Sequence, residues 1–397
     1  MIMYIKRDSE RLLKKFAEQY PVVTITGPRQ SGKTTICKKT FPDKKYVSLE
    51  DIDFREFAEN DPRGFLSEYS GGVIIDEIQR VPGLLSYIQG IVDKNQKKGE
   101  FILTGSSQFE LSRNISQSLA GRTALLKLFP FSYTEIYTKG EPAREWINRV
   151  IYTGFYPRIF KDKLDPTDYL SAYTETYIER DVRQFSEIRD LKGFGTFLKL
   201  CASRTGQLLN YSNLSEDCGV SVPTIKNWIS ILEKSYIVFL LFPFYSNIRK
   251  RLIKTPKIYF YDVGLCAYLN GAKKFDHIEA LPNRGSLFEN FVISEIVKMN
   301  AHNNVKDEFY FFKNKNGLEV DLVIDSGLQI TPVEIKSSHT FNHAFTKNLT
   351  YFTHLFKDEV NGQIVYAGDD QKRSNYQVFN YYSFFKDYEK FINHTVT

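Results

Sequence analysis

Cysteine is scarce in this chain. The four thiols, Cys37, Cys201, Cys218 and Cys266, stand far apart and match no zinc-ligand spacing. That argues against a disulfide scaffold or a cysteine-based metal module, and for small buried hydrophobes in a reducing compartment. Runs of about 18 apolar residues, the length of a membrane-spanning helix, are missing. So are a signal-type apolar segment at the N-terminus, internal repeats and low-complexity tracts. The expectation is a cytoplasmic protein with no membrane partner. Charge of one sign is also in short supply: 53 Lys and Arg face 47 Asp and Glu, a net charge of +6. This permits contact with nucleic acid without implying it.

Aromatic residues are plentiful, with 32 Phe and 25 Tyr, so large cores are available. The apolar share of 42% and charged share of 25% are those of an ordinary globular protein. A length of 397 residues suggests two or three domains.

The most informative segment is Gly27-Pro28-Arg29-Gln30-Ser31-Gly32-Lys33-Thr34, which fits the phosphate-loop pattern G-x-x-x-x-G-K-[ST] at every fixed position. Its context fits as well. Val22–Thr26 is a β-branched run that reads as a buried strand, and Lys33–Lys39 reads as the first turns of a helix. In such a loop glycines let main-chain N–H groups curl around phosphates, and the helix N-terminus adds its positive dipole end. Gly27, Gln30, Ser31, Gly32, Lys33, Thr34 and Thr35 are therefore the expected nucleotide contacts. Lys33 reaches the β- and γ-phosphates, and the Thr34 hydroxyl holds Mg²⁺. Val73-Ile74-Ile75-Asp76-Glu77 is a second apolar strand ending in two acids. Asp76 is the expected metal-side carboxylate, and Glu77 the general base for the attacking water. Phe101–Gly105 is a further apolar strand; Thr104 or Ser106 at its end is placed to sense the γ-phosphate or orient the water. Hydroxyls also simply finish strands and cap helices.

Residues 1–135 alternate short apolar strands with helical patterns, the signature of a doubly wound parallel α/β sheet. Strands are expected at Val22–Thr26, Tyr46–Leu49, Val73–Asp76, Phe101–Gly105 and Ala124–Leu128. Residues 136–190 read as a helical lid or connector, broken at Gly154 and Pro157. Residues 191–257 change character. A helix at Phe194–Arg204, a turn at Cys218-Gly219-Val220 and an amphipathic helix at Ser221–Lys234 make a helix-turn-helix pattern. Strands at Ile237–Leu241 and Lys257–Phe260 flank a basic stretch, as in a winged helix. On that reading Thr224, Lys226 and Asn227 face a major groove, and Arg249, Lys250 and Arg251 contact phosphates. The same fold also serves as a protein–protein spacer.

In residues 258–397 a helix from Leu287 to about Met299 precedes strands at Glu308–Phe312, Gly317–Ile324 and Ile330–Lys336. Side chains two apart on a strand share a face. Glu319 and Asp321 therefore point one way, as do Glu334 and Lys336, and with Glu289 they form an acidic cluster holding one lysine. Carboxylates suit Mg²⁺, which usually takes one or two of them plus waters, and such a site activates water for attack on a phosphodiester. Half-exposed strands also alternate charge in this way.

The ordered series of Gly27–Thr34, Tyr46–Asp51, Ile74–Gln79, Leu103–Ser107, Ser118–Arg122, Glu179–Val182, Lys257–Leu265 and the set Glu289, Glu319, Asp321, Glu334 and Lys336 resembles the prokaryotic AAA+-like ATPases with a C-terminal domain of unknown function. The resemblance covers nearly the whole chain. It implies ATP and Mg²⁺ as cofactors, an AAA-like core, a winged helix and a C-terminal domain similar to PD-(D/E)XK restriction-endonuclease-like folds. In that last domain Glu289, Asp321 and Glu334 match the metal ligands and Lys336 the catalytic lysine. It also implies a homo-oligomer in which an arginine reaches a neighbour's γ-phosphate; Arg122 is the candidate and Arg180 the alternative, with a structural arginine the competing reading for each. No second sensor arginine is evident, and adenine over guanine rests on the resemblance. Two functions follow: an ATPase that binds DNA and cuts it, or a nucleotide-switched module for a protein partner whose nuclease-like fold is inert.

Overall fold

The computed structural model describes residues 4–105, 118–137, 146–178, 190–244, 255–327, 329–356, 362–373 and 376–395, with the side chains of 177–178 and 389–395 left aside. Ser106, Arg180, Arg249, Lys250 and Arg251 lie outside the described residues. Two compact units emerge: Met1–Phe131 with Lys234–Tyr236 and Ala301–Asn304, and Ser132–Glu233 with Ile237–Asn300 and Val305–Thr397.

The first unit is built on five parallel strands: β1 (Val22–Thr26), β2 (Lys45–Ser48), β3 (Val73–Asp76), β4 (Phe101–Gly105) and β5 (Thr123–Lys127), in the order β2-β3-β4-β1-β5. Helix α1 (Ser9–Gln19) leads into β1, and α2 (Lys33–Thr40), α3 (Ile52–Asn60), α4 (Pro62–Ser67) and α5 (Leu84–Asn95) lie between successive strands. Strand side chains alternate between two cores. Val22, Val73, Ile75, Phe101 and Leu103 join Phe65, Leu85 and Ile88 on one face. Val23, Ile25, Ile74 and Ile102 join Leu13, Phe16, Ile36 and Cys37 on the other. Burial on both faces is why these strands read as unbroken apolar runs, and each such side chain contributes roughly 1.5–3 kcal/mol. β4 lies between β1 and β3, so the strand carrying Asp76 is two places from the one leading into the phosphate loop.

The second unit carries an eight-stranded mixed sheet. Its strands are β6 (Val238–Pro243), β7 (Lys257–Phe260), β8 (Glu308–Lys313), β9 (Glu319–Asp325), β10 (Ile330–Lys336), β11 (Gln363–Tyr366), β12 (Gln371–Lys372) and β13 (Gln377–Asn380). The order is β12-β13-β11-β10-β9-β8-β6-β7. The hairpin expected to be a wing thus continues the sheet of the acidic strands: Phe242 and Pro243 of β6 pair in parallel with Tyr310 and Phe311 of β8. Helices Leu191–Ser203, Tyr211–Cys218 and Val222–Lys234 give the helix-turn-helix order, with Gly219 closing the second at φ 66. Ile225, Trp228, Ile229 and Leu232 are buried, and Trp228 meets Phe194 and Phe197 edge-on or tilted at 5.4 and 5.2 Å.

Cys37, Cys201 and Cys266 are free and buried, and burial pushes all three thiols up. No described helix is long and apolar enough to cross a membrane.

Candidate functional site

The loop between β1 and α2 takes its shape from two glycines and one strained residue. Gly27 has φ +151, and a Cβ there would collide with the Leu128 carbonyl. Gly32 has φ 95 and opens α2 with no side-chain cap, leaving the helix start to an outside acceptor. Gln30 holds φ 60 without being glycine. Lys33 is buried, and its Nζ donates to the carbonyls of Gly27 at 3.0 Å and Pro28 at 2.8 Å. Ser31 is buried with its hydroxyl lacking a hydrogen-bond partner. Thr34 is half-buried and Thr35 exposed. An orphaned hydroxyl, an uncapped helix start and an ammonium resting on loop carbonyls fit a phosphate group.

Asp76, buried at the end of β3, accepts three hydroxyl hydrogen bonds. Thr34 Oγ1 donates to Oδ2 at 2.8 Å, Tyr46 OH to the same oxygen at 2.9 Å, and Thr104 Oγ1 to Oδ1. Thr104 reaches it because β4 separates β3 from β1. Neutral donors satisfy the carboxylate without cancelling its charge, so a cation is still favoured beside Thr34. Burial, with Asp76 adding to it, pushes the Tyr46 phenol up and keeps it a donor. Glu77 follows at φ 55 and ψ 46, a left-handed conformation that costs a non-glycine residue about 1–3 kcal/mol. Gln79 Nε2 donates to its carboxylate.

Arg7 carried no signal of its own in the sequence. It is buried; Nη1 donates to the Ser31 carbonyl at 2.8 Å and Nη2 to the Phe129 carbonyl at 2.8 Å, with the guanidinium 4.7 Å from the Phe131 ring centroid. It ties the phosphate loop to the chain following β5. Arg122 sits elsewhere. It precedes β5, and its carbonyl accepts from Val22 N at the start of β1. The loop follows the far end of β1, about 17 Å away at roughly 3.3 Å per residue. Its guanidinium is held by Asp93 of α5 at 2.5 and 2.9 Å. Arg122 therefore does not reach the loop of its own chain.

The second unit gathers the C-terminal acids. Asn290, beside Glu289 on the helix Arg284–Asn303, accepts from Phe260 N at 2.7 Å, donates to Phe260 O at 3.0 Å and accepts from Thr205 Oγ1 at 2.7 Å. This splice sets the helix against β7. Glu289 Oε1 then accepts from Lys257 Nζ at 3.2 Å and Tyr259 OH at 2.5 Å. Lys257 also pairs with Glu319 at 2.5 Å, and Lys313 with Glu319 at 2.7 Å. The β9–β10 pairing runs to Leu322–Val333; beyond it the Asp321 carboxylate accepts from Ile335 N at 2.8 Å. Lys336 Nζ lies 3.1 Å from Asp321 and 2.7 Å from Glu334. Glu334 is buried, and its Oε2 has no hydrogen-bond partner. Burial, then the Asp321 charge, push Glu289 up to about 7 and Glu334 up to about 8. Burial opposes the charge on Lys257, but Glu289, Asp321 and Glu319 outweigh it and raise its pKa. The described residues contain no group of three or more His, Cys, Asp or Glu side chains able to share one ion, so the set expected from the sequence does not close on a single point. A cation here would take one or two carboxylates, as Mg²⁺ usually does. Crowded carboxylates that raise one another, and an orphaned buried oxygen, fit such an ion. Lys257 and Tyr259 escaped the sequence reading because they belong to a strand assigned to the wing.

Three family models match successive parts of the chain. Residues 19–137 match an AAA domain, 144–276 a domain of unknown function (DUF8612), and 284–384 a domain of unknown function (DUF4143). An uncharacterized protein of Mycobacterium tuberculosis is 29% identical over 338 residues, covering 84% of this chain and 74% of that one. Another, of Methanocaldococcus jannaschii, is 23% identical over 333 residues, covering 76% and 72%. A Walker-type ATPase of Pyrococcus abyssi superposes with a TM-score of 0.46 at 15% identity, covering 67% of this chain and 96% of that one. The chain thus carries an AAA domain match followed, after the DUF8612 match, by a DUF4143 domain match.

Proposed function

We propose that the chain binds and hydrolyses Mg·ATP at the loop Gly27–Thr34. One observation carries the reading: Thr34 Oγ1 and Thr104 Oγ1 converge on Asp76 beside a buried Lys33. A bound Mg²⁺ would supply positive charge against the charge that develops on the phosphates. Lys33 would exchange the carbonyls of Gly27 and Pro28 for phosphate oxygens. Thr34 and Asp76 would hold the metal side, the Ser31 hydroxyl and the N–H groups at Gly32 and Thr35 would receive phosphate oxygens, and Glu77 would take a proton from water. Titration calorimetry with Mg·ATP tests this. Wild type binds and Lys33→Ala loses affinity; a wild-type protein giving no heat ends the proposal.

The finer reading is a cytoplasmic, DNA-binding ATPase with a PD-(D/E)XK-like C-terminal domain, its units being the core 1–135, connector 136–190, winged helix 191–257 and nuclease-like 258–397. In its support, Lys226 is exposed and Thr224 and Asn227 half-buried on the second helix of the helix-turn-helix, Asp321 and Glu334 both lie against Lys336, and Glu289 feels the charge of Asp321. There Lys336 would hold a hydroxide or a phosphate oxygen. Nicking assays with Mg²⁺ or Mn²⁺ on wild type, Asp321→Ala and Glu334→Ala test it; wild type cutting no form of DNA removes the nuclease. Arg122, facing away from its own loop, acts on a neighbouring copy or only in the Asp93 pair.

A second reading is a nucleotide-switched interaction module with an inert nuclease-like fold. The ion pairs of Lys257 with Glu289 and Glu319 favour it, because they satisfy the acids without a metal. Its test is molecular mass with ADP against a non-hydrolysable ATP analogue; an unchanged mass argues against a switch.

A further inference from the structure

Lys257 is 2% exposed and stands at the head of β7, the edge strand of the eight-stranded sheet. Its ammonium lies 3.2 Å from Glu289 and 2.5 Å from Glu319, where a divalent cation would find the same oxygens. Ammonium and metal ions compete for carboxylates by charge, and two cations this close repel. Removing one partner of a buried ion pair leaves an uncompensated charge, so the acids would then recruit another cation.

We propose that Lys257 is a built-in occupant of the carboxylate cluster that sets its affinity for divalent metal: with the ammonium seated the site binds Mg²⁺ or Mn²⁺ weakly, and with it withdrawn the ion takes its place. This rests on reading the cluster as a cation site. A second observation points to an ion there: Glu334, 2% exposed and near enough to Asp321 to feel its charge, keeps a buried Oε2 with no hydrogen-bond partner while its Oε1 holds Lys336. The placement of Lys257 also ties it to the helix-turn-helix. On its outer side β7 meets the segment just before the helix Tyr211–Cys218. Gly206 N donates to Ile258 O at 2.9 Å, Leu209 N to Pro256 O at 2.8 Å, and Leu208 bridges to Lys257. Gly206 itself, at φ +75, is so close to Glu289 that a Cβ there would lie 3.4 Å from Oε1. A partner pulling on the helix-turn-helix therefore pulls on the strand carrying the ammonium and on the backbone beside its carboxylate.

The experiment is Mn²⁺ binding to the full nucleotide-free chain, followed by electron paramagnetic resonance, with melting temperature measured in parallel. The variants are Lys257→Met, Lys257→Gln, Lys257→Arg, Asp321→Asn and the double variant Lys257→Gln with Asp321→Asn. Both neutral variants bind Mn²⁺ about tenfold or more tightly than wild type, and Mn²⁺ raises their melting temperature more than it raises that of wild type. Lys257→Arg behaves as wild type, and the double variant loses the gain. The glutamine variant keeps an N–H donor for Glu289 and decides the matter if the methionine variant does not fold. If wild type and Lys257→Gln bind Mn²⁺ equally and Asp321→Asn abolishes both, the occupant role is wrong and the cation site stands. If none of the proteins binds Mn²⁺ in a way that depends on Asp321, both ideas fall.

Discussion

Asp76 and Asp321 are both nearly buried on strands, at 8% and 7% exposure, yet their partners differ in kind. Asp76 receives the hydroxyls of Thr34, Tyr46 and Thr104. Asp321 receives a main-chain N–H and the ammonium of Lys336, and its neighbours Glu289 and Glu319 receive that of Lys257. Hydroxyls orient a carboxylate and leave its charge to be used; ammonium groups spend it. On the proposed function, the first unit is thus prepared for an external cation arriving with a nucleotide. In the second the cationic role is already filled from within the chain. Two acid sites in one protein can share ligand chemistry and still differ in readiness, and the difference lies in what solvates the acid.

The largest expected effect tests the first half of the contrast. Glu77→Gln should bind Mg·ATP as wild type does and turn it over ~10²–10⁴-fold more slowly, the usual cost of losing a general base; a steady-state phosphate-release assay at normal rate would assign the water to another group. Next is Arg7→Ala, which strips a charged donor from the Ser31 and Phe129 carbonyls. Urea unfolding should register a loss of about 2–3 kcal/mol, together with weaker nucleotide binding as the loop loosens. The second half of the contrast predicts a pH dependence. Burial first, with further carboxylate charge in each case, raises Glu289 to about 7 and Glu334 to about 8, and burial likewise raises Glu295, a buried partner of Lys298, to about 7. The folded chain keeps protons that the unfolded chain releases near pH 4.5. The stabilisation is therefore complete below about pH 4.5 and lost as the pH climbs through about 7–8. Without divalent ions, calorimetry should find the melting temperature falling by about 5 °C between pH 5.5 and 8; a rise would contradict the assigned directions. Smallest is Tyr46→Phe. It removes one of the three hydroxyls on Asp76, each worth about 1 kcal/mol, so Mg·ATP affinity should shift only a few-fold by calorimetry.

Legibility along the chain followed locality. β1, β3, β4 and β7 stand where their apolar runs predict, and β2 and β5 begin one residue early. β1, β3, β4 and β7 announce themselves because they are buried throughout, and the glycine loop that follows β1 needs specific residue types; β2 and β5 are partly exposed strands at the sheet edges. The stretch after Lys336 yielded no elements in advance, although β11 and β13 pair there and the helix Thr346–Phe356 packs Leu349 and Phe352 into the core with Phe312. Its strands are short, four residues in β11 and β13 and two in β12, so no periodicity marks them.

From residue order alone came the phosphate loop, the strand-end acids Asp76 and Glu77, the C-terminal acids with Lys336, and the parallel α/β core, since each depends on neighbours within a few positions. Tertiary structure alone decided that Arg7 braces the loop from far upstream, that Arg122 faces away from it, and that Lys257 enters the acid cluster from a strand expected to belong to a wing. Those outcomes depend on which distant segments share a sheet or a core. Such proximity arises from chain closure, which local pattern does not encode.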